Sequence, residues 1–246
     1  MTYTLIACRM FKHEIEAAAA SSPHALAIEY LDLGEHARPA SLRRKLQERI
    51  DAATGCDAIL LAYGLCGRAT DGLTARRVPL VLPRSHDCGG ILLGSRQRFE
   101  AVFREMPSTP FSSIGIIENG EYFFSDGDLV LGDSYAALVE QYGEDNARYI
   151  YDAMHPRLDG ELQPVYFISM PEVPAAAARE TCRARAQADG RPFRELTGDL
   201  RLIRMLLSGE HPADEFLIVP PGASIRQTGD WNRIVDATPP AHTQEA

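Results

Sequence analysis

DAILLAYGLCG (residues 57–67) decides the fold. Asp57 to Tyr63 is an unbroken apolar run, which a strand shows when both of its faces are covered by helices. Such a strand belongs to a mainly parallel sheet, and the Gly-Leu-Cys-Gly that follows is the loop leaving its carboxyl end. Working outward, Tyr3 to Cys8 and Ala25 to Leu31 read as further strands, with a helix over 12–20 between them. Ser41 to Ala53 places Leu42, Leu46, Ile50 and Ala53 on one helical face, with Ser41 as the expected N-cap. Val78 to Leu82 and Ser113 to Ile117 suit strands, and Gly90 to Phe103 suits a helix.

The rhythm returns later in the chain. Val165 to Ser169, Phe193 to Leu196 and Glu215 to Val219 read as strands, separated by helices over 175–188 and 199–207, the second capped by Asp199. The expected class is α/β with mainly parallel sheets, arranged as two Rossmann-like halves around a cleft. The expected divisions are a first half over 1–118, a connecting segment over 119–164 with a hairpin-like stretch and a helix around 135–154, a second half over 165–230 and a loose tail over 231–246.

Composition narrows the function. The chain has 246 residues and a formal net charge of −9, which disfavours binding to a phosphate backbone. No apolar run reaches membrane-span length, and the N-terminus opens directly into a strand, so a cytoplasmic protein without a membrane partner is expected. Five cysteines is an odd number, and in that compartment thiols serve as ligands, nucleophiles or packing residues rather than disulfides.

Ligands in open α/β sheets bind beyond the carboxyl ends of the strands. That edge is expected to collect Cys8, Cys66, His86 and Cys88 from the first half. From the second it would collect Met170, Gly198, Asp199, Gly222 and Ser224. Thiolates and an imidazole converging on one edge make a soft-donor site for zinc or an iron–sulfur cluster. Cys66, His86 and Cys88 would supply three ligands and Cys8 a fourth. The plainer alternative is that Cys8 and Cys66 are small buried residues at strand ends. A third use makes Cys88 a nucleophile beside His86, its thiolate stabilised by the helix beginning at Gly89-Gly90.

Other residues carry paired readings. Asp87 would act as a base or cap a helix. Glu14 would reach the edge as an acid or base, or sit on a solvated helix face. Arg68 and Arg84 would bind an anionic substrate or pair with Asp71 or Asp87. Gly89 lets a phosphate or oxyanion approach backbone N–H groups, and Asp199 is a cofactor contact or a cap. Cys56, ahead of a strand on the opposite edge, and Cys182, in mid-helix, read as packing residues, and the remaining histidines show no metal-ligand spacing.

With these residues in view, the chain resembles the DUF1638 family. The matching pieces are IAC (6–8) with Glu14, YGLCG (63–67), LPRSHDC (82–88), LLGSR (92–96), YGEDNARY (142–149), GDLRL (198–202) and FLIVPPG (216–222). Arg9-Met10 and Gly89-Gly90 depart from the family's usual residues. The resemblance implies that the cysteine–histidine set is a family pattern, and it names no substrate. His-x-Cys with a distant Cys also resembles the zinc pattern of cobamide-dependent thiol methyltransferases, although there the partner cysteine follows rather than precedes. The expectation is a zinc-dependent enzyme acting on a small molecule. Thiol methyl transfer, with a corrinoid protein as partner, comes first, and zinc-assisted hydrolysis, with Glu14 or Asp87 as base, second. An iron–sulfur enzyme and a non-catalytic metal or cofactor carrier are the alternatives.

Overall fold

A computed structural model describes residues 1–34, 38–104, 109–123, 139, 143, 144, 146, 148 and 163–239. The expected helix around 135–154 lies almost wholly outside them. The central sheet has five strands in the order β2 (Ala25–Leu31), β1 (Thr2–Cys8), β3 (Ala58–Ala62), β4 (Leu80–Pro83) and β8 (Phe216–Val219). The first four run parallel, and β8 pairs antiparallel with β4. A second, parallel sheet joins β5 (Phe111–Ser112), β6 (Val165–Ser169) and β7 (Phe193–Thr197). β9 (Ser224–Gln227) and β10 (Val235–Thr238) form an antiparallel hairpin.

Within the run of residues 57–63, Ala58 to Ala62 form β3 and all five are buried, as the lack of alternation requires. Helix α1 (Lys12–Ala19) connects β1 to β2, and α2 (Pro39–Ala52) returns past β1 to β3. The chain therefore leaves β1 and β3 in opposite directions, which makes the gap between their carboxyl ends the topological switch point. Cys8 ends β1 and Cys66 follows β3. The fold puts both thiols at the place where α/β sheets take their ligands.

Several local expectations are corrected. Helix α2 starts at Pro39, with Arg38 in the cap position, rather than at Ser41. The fixed φ of proline suits the first helical turn, where its missing N–H costs nothing. The helix expected over 90–103 is two helices, α3 (Cys88–Leu92) and α4 (Arg96–Phe103). Gly94, at φ +68°, turns the chain between them, and the Ser95 side chain caps α4 by accepting from the Arg98 N–H.

The strand expected over 113–117 is instead helix α5 (Ile114–Glu118), capped by the Ser113 hydroxyl. Gly115 packs on the turn after β1 so closely that a Cβ would lie 1.8 Å from the Met10 carbonyl oxygen. That neighbour is backbone and cannot swing aside. Gly115→Ala is expected to cost roughly 2–4 kcal/mol, in the range of a clash that forces backbone shifts in a packed core. Wild-type stability by urea denaturation would contradict so close an approach.

The expected pseudo-repeat also fails at its last strand. β8 belongs to the first sheet, so Val219 sits beside Leu80 at the opposite edge from the cysteines. Gly222 and Ser224 follow it to that edge. There Gly222 N–H donates to the Ala75 carbonyl, and the Ser224 hydroxyl meets that of Thr74 at 2.8 Å. Residues 235–238, expected to be loose, form β10. The remaining helices, α6 (Ala176–Ala188) and α7 (Arg201–Ser208), follow β6 and β7. Helix α7 packs on α1 and across β3 and β4.

Candidate functional site

The loops leaving β3 and β4 are zipped together as an extension of the parallel ladder. Leu65 N–H donates to the Ser85 carbonyl at 2.8 Å, and Cys66 N–H to the His86 carbonyl at 3.0 Å. Gly64 makes this possible: a Cβ there would lie 2.8 Å from the Cα, N and O of Asp87. The chain then turns through three left-handed residues in succession, Cys66 (φ +47°), Gly67 (φ +60°) and Arg68 (φ +69°). Two of these are not glycine, and such strain gathers where a side chain must be held in one place.

The result is a thiol pair. The Sγ atoms of Cys66 and Cys88 lie 3.6 Å apart, both buried, and none of the five cysteines is in a disulfide. Two thiolates on one tetrahedral zinc, each about 2.3 Å from the metal, would be about 3.8 Å apart. The pair thus has the spacing of one edge of a zinc tetrahedron. Cys8 is fully buried at the end of β1, and its charge is felt at Cys88.

The Cys88 thiol is pushed well above its usual value, first by its hydrogen bond with Cys66, then by burial, and then by the neighbouring Cys66, Cys8 and Asp87 charges. This shift runs opposite to the lowering that helix activation of a nucleophile gives. Cys88 is the first residue of a helix only five residues long, and the Asp87 carboxylate caps that helix by accepting from the Gly90 N–H at 3.0 Å.

His86 packs its ring among aromatic neighbours. Its ring lies 4.0 Å from the Trp231 ring and 6.2 Å from that of Phe99, centroid to centroid. Its Nε2 is buried without a hydrogen-bond partner among the described residues, and burial holds the imidazole below its ordinary pKa. Among the described residues no three or more His, Cys, Asp or Glu side chains are gathered as a ready metal site. The four expected donors are therefore brought to one edge as a close thiol pair, a nearby third thiol and an imidazole turned to aromatic contacts.

Glu14, in the first turn of α1, is only 1% exposed, which replaces the solvated-face alternative. Its Oε2 has no hydrogen-bond partner among the described residues, and burial raises its pKa from 4.5 to about 7. Tyr30, near the end of β2, has a buried hydroxyl raised to about 12, first by burial and then by the charges of Glu16 and Glu14. Between pH 4.5 and 7 the folded protein keeps a proton on Glu14 that the unfolded chain releases. Stability should therefore fall as pH rises through that window. Glu14→Gln is expected to remove the slope and gain on the order of 3 kcal/mol over wild type at pH 8 relative to pH 4. Parallel denaturation curves at both pH values would refute the assignment.

The remaining residues have structural partners. Arg68 pairs with Asp71 at 2.8 Å, and its carbonyl accepts from Arg43. Arg84 donates to the carbonyls of Ala213, Arg233 and Val235. A Cβ on Gly89 would lie 3.2 Å from Asp87 Oδ1 and 3.3 Å from Phe111. Asp199 accepts from the Arg201 N–H at the start of α7, while its own N–H donates to Leu92 at the end of α3. Gly198 is pressed between Met170 and the Leu92 carbonyl. The ends of β6 and β7 therefore meet the helix that carries Cys88. Cys182 is buried in α6, and Cys56 is half-buried before β3. Of the other histidines, His13 pairs with Glu118 at 2.5 Å, and His24 and His211 bond main-chain carbonyls. His36, His155 and His242 lie outside the described residues. Trp231 is the site residue that sequence reading missed, and its position shortly after a Gly-Asp turn gives no sign of its contact with His86.

No helix among the described residues is long and apolar enough to cross a membrane. A family model described as a protein of unknown function (DUF1638) matches residues 30–207. The match spans Cys66, His86 and Cys88 but begins after Cys8 and Glu14. No curated protein and no solved structure matches the chain.

Proposed function

The chain belongs to the DUF1638 family, whose description assigns no activity, and we propose from its thiol site that it is a thiolate-metal enzyme acting on a small molecule. The observation that carries this reading is the 3.6 Å separation of Cys66 and Cys88 beside the topological switch point. Cys66, Cys88 and Cys8 would hold zinc, with His86 at the margin of the site. When bound, zinc supplies Lewis acidity to a thiol or water of the substrate.

The chain's own residues do the rest. The left-handed turn at 66–68 and the cap at Asp87 fix the two thiols. Burial excludes water from them. Glu14, with a pKa near neutrality, can hold or release a proton at Oε2 close to working pH. Asp87 has its carboxylate engaged in capping, so Glu14 is the better proton carrier. Methyl transfer to or from a thiol, with a corrinoid protein as partner, is the first reaction class, and hydrolysis the second. Two Rossmann-like halves around a cleft belong to the same proposal. The 2-1-3-4 parallel order of the first sheet and the parallel pairing of the second support it, with β8 taken by the first half.

The test is metal analysis of protein purified anaerobically, alongside Cys66→Ser/Cys88→Ser. About one zinc per chain, absent from the variant, is expected; no stoichiometric metal in wild type would sink the reading. A sulfur-only donor set also suits an iron–sulfur cluster. Iron with acid-labile sulfide would select that second reading.

A further inference from the structure

The β9–β10 hairpin crosses both thiol-bearing loops. At its root, Ile225 N–H donates to the Leu73 carbonyl at 2.8 Å, and Gln227 N–H to Asp71 Oδ1 at 2.9 Å. That segment continues from the turn carrying Cys66. At its tip, Trp231 lies on the His86 ring, two residues before Cys88. Arg84 holds the tip through the carbonyls of Arg233 and Val235, and Arg96 through that of Asn232. Neither arginine has a carboxylate partner among the described residues.

Two features mark the tip as a part built to move. Gly229 (φ +73°) and Ile234 (φ +60°) bracket it with left-handed backbone, and for a β-branched residue that conformation is an outlier. The contact it covers is also poorly satisfied. His86 Nε2 and Trp231 Nε1 are both buried without hydrogen-bond partners among the described residues. Lifting the tip would give both nitrogens to water, at the expense of a tilted aromatic contact, the hydrogen bond of His86 with the Trp231 main chain and the arginine bonds. Closed, it packs on His86, two residues before Cys88, and the thiol pair is 2–3% exposed, which no reagent or substrate reaches without an opening.

We propose that residues 229–234 form a strap that closes Trp231 over His86 and shields the Cys66/Cys88 pair until it lifts about Gly229 and Ile234. The proposal rests on the thiol pair being the working site, but its test needs no metal. Reduced, metal-free protein is alkylated with iodoacetamide at a fixed alkaline pH, and each cysteine is followed by mass spectrometry. Trp231→Ala is expected to speed labelling of Cys66 and Cys88 about tenfold while Cys182 stays protected, as local rather than global opening requires. Arg96→Ala loosens the tip without touching the aromatic contact. It should move the same two thiols in the same direction and expose Trp231, the chain's single tryptophan, to acrylamide quenching. Wild-type labelling rates in both variants would overturn the strap. So would Cys182 reacting in step with the pair, because the opening would then be global.

Discussion

Gly64→Ala is expected to destabilise the protein by roughly 2–4 kcal/mol and to abolish the thiol site in whatever fraction still folds. The added Cβ would stand 2.8 Å from three backbone atoms of Asp87, none of which can rotate out of the way. Relief requires the two loops to part, and with them go the bonds from Leu65 N–H to Ser85 and from Cys66 N–H to His86. Cys66 and Cys88 would then leave the 3.6 Å spacing that makes them a pair. Urea denaturation should show a lower midpoint with an unchanged slope, and metal content should fall in parallel. Wild-type stability with intact metal binding would mean that the close loop pairing does not set the site.

Zinc added to the reduced, metal-free protein is expected to expel at least two protons per chain at neutral pH, one from each thiol of the Cys66/Cys88 pair. A thiol of ordinary pKa is already neutral at that pH, and the upward shift at Cys88 reinforces this. Its hydrogen bond with Cys66 and its burial both favour the neutral thiol, so the metal must displace protons rather than meet ready thiolates. Affinity should therefore rise at least about 100-fold per pH unit, tenfold for each proton that leaves on binding. Titration calorimetry in buffers of different ionisation enthalpy reads the proton count directly. Binding with no proton release would contradict neutral thiols at the site. In the metal-free protein the same shift predicts slow alkylation at pH 7 that accelerates only under alkaline conditions.

The parts of the fold legible from sequence were those whose signal is local. The all-apolar run before Gly64 marked β3, and the alternation of strands with helices marked the parallel sheet. The ends of those strands then placed Cys8, Cys66 and Cys88 together. Pairing between distant segments was not legible. Phe216 to Val219 is as apolar as a parallel strand, and nothing within it specifies antiparallel pairing with β4. The run Ser113 to Ile117 has strand-like residues, yet the Ser113 cap and the close approach of Gly115 to Met10 make it a helix. Here tertiary packing overrides a short apolar pattern. Glu14 shows the same limit for the site, since a glutamate at a helix start gives no sign that neighbouring elements bury it. His86 was legible as a residue of the edge, but its orientation depends on Trp231, which arrives from 145 positions later (231 − 86).

The most direct test of the thiolate-metal claim is zinc-edge X-ray absorption on the zinc-loaded protein. A sulfur-dominated first shell near 2.3 Å is expected, with two to three sulfurs per metal and loss of that shell in Cys66→Ser/Cys88→Ser. A shell made only of nitrogen and oxygen, unchanged in the variant, would place the metal elsewhere and remove the basis for a thiolate enzyme.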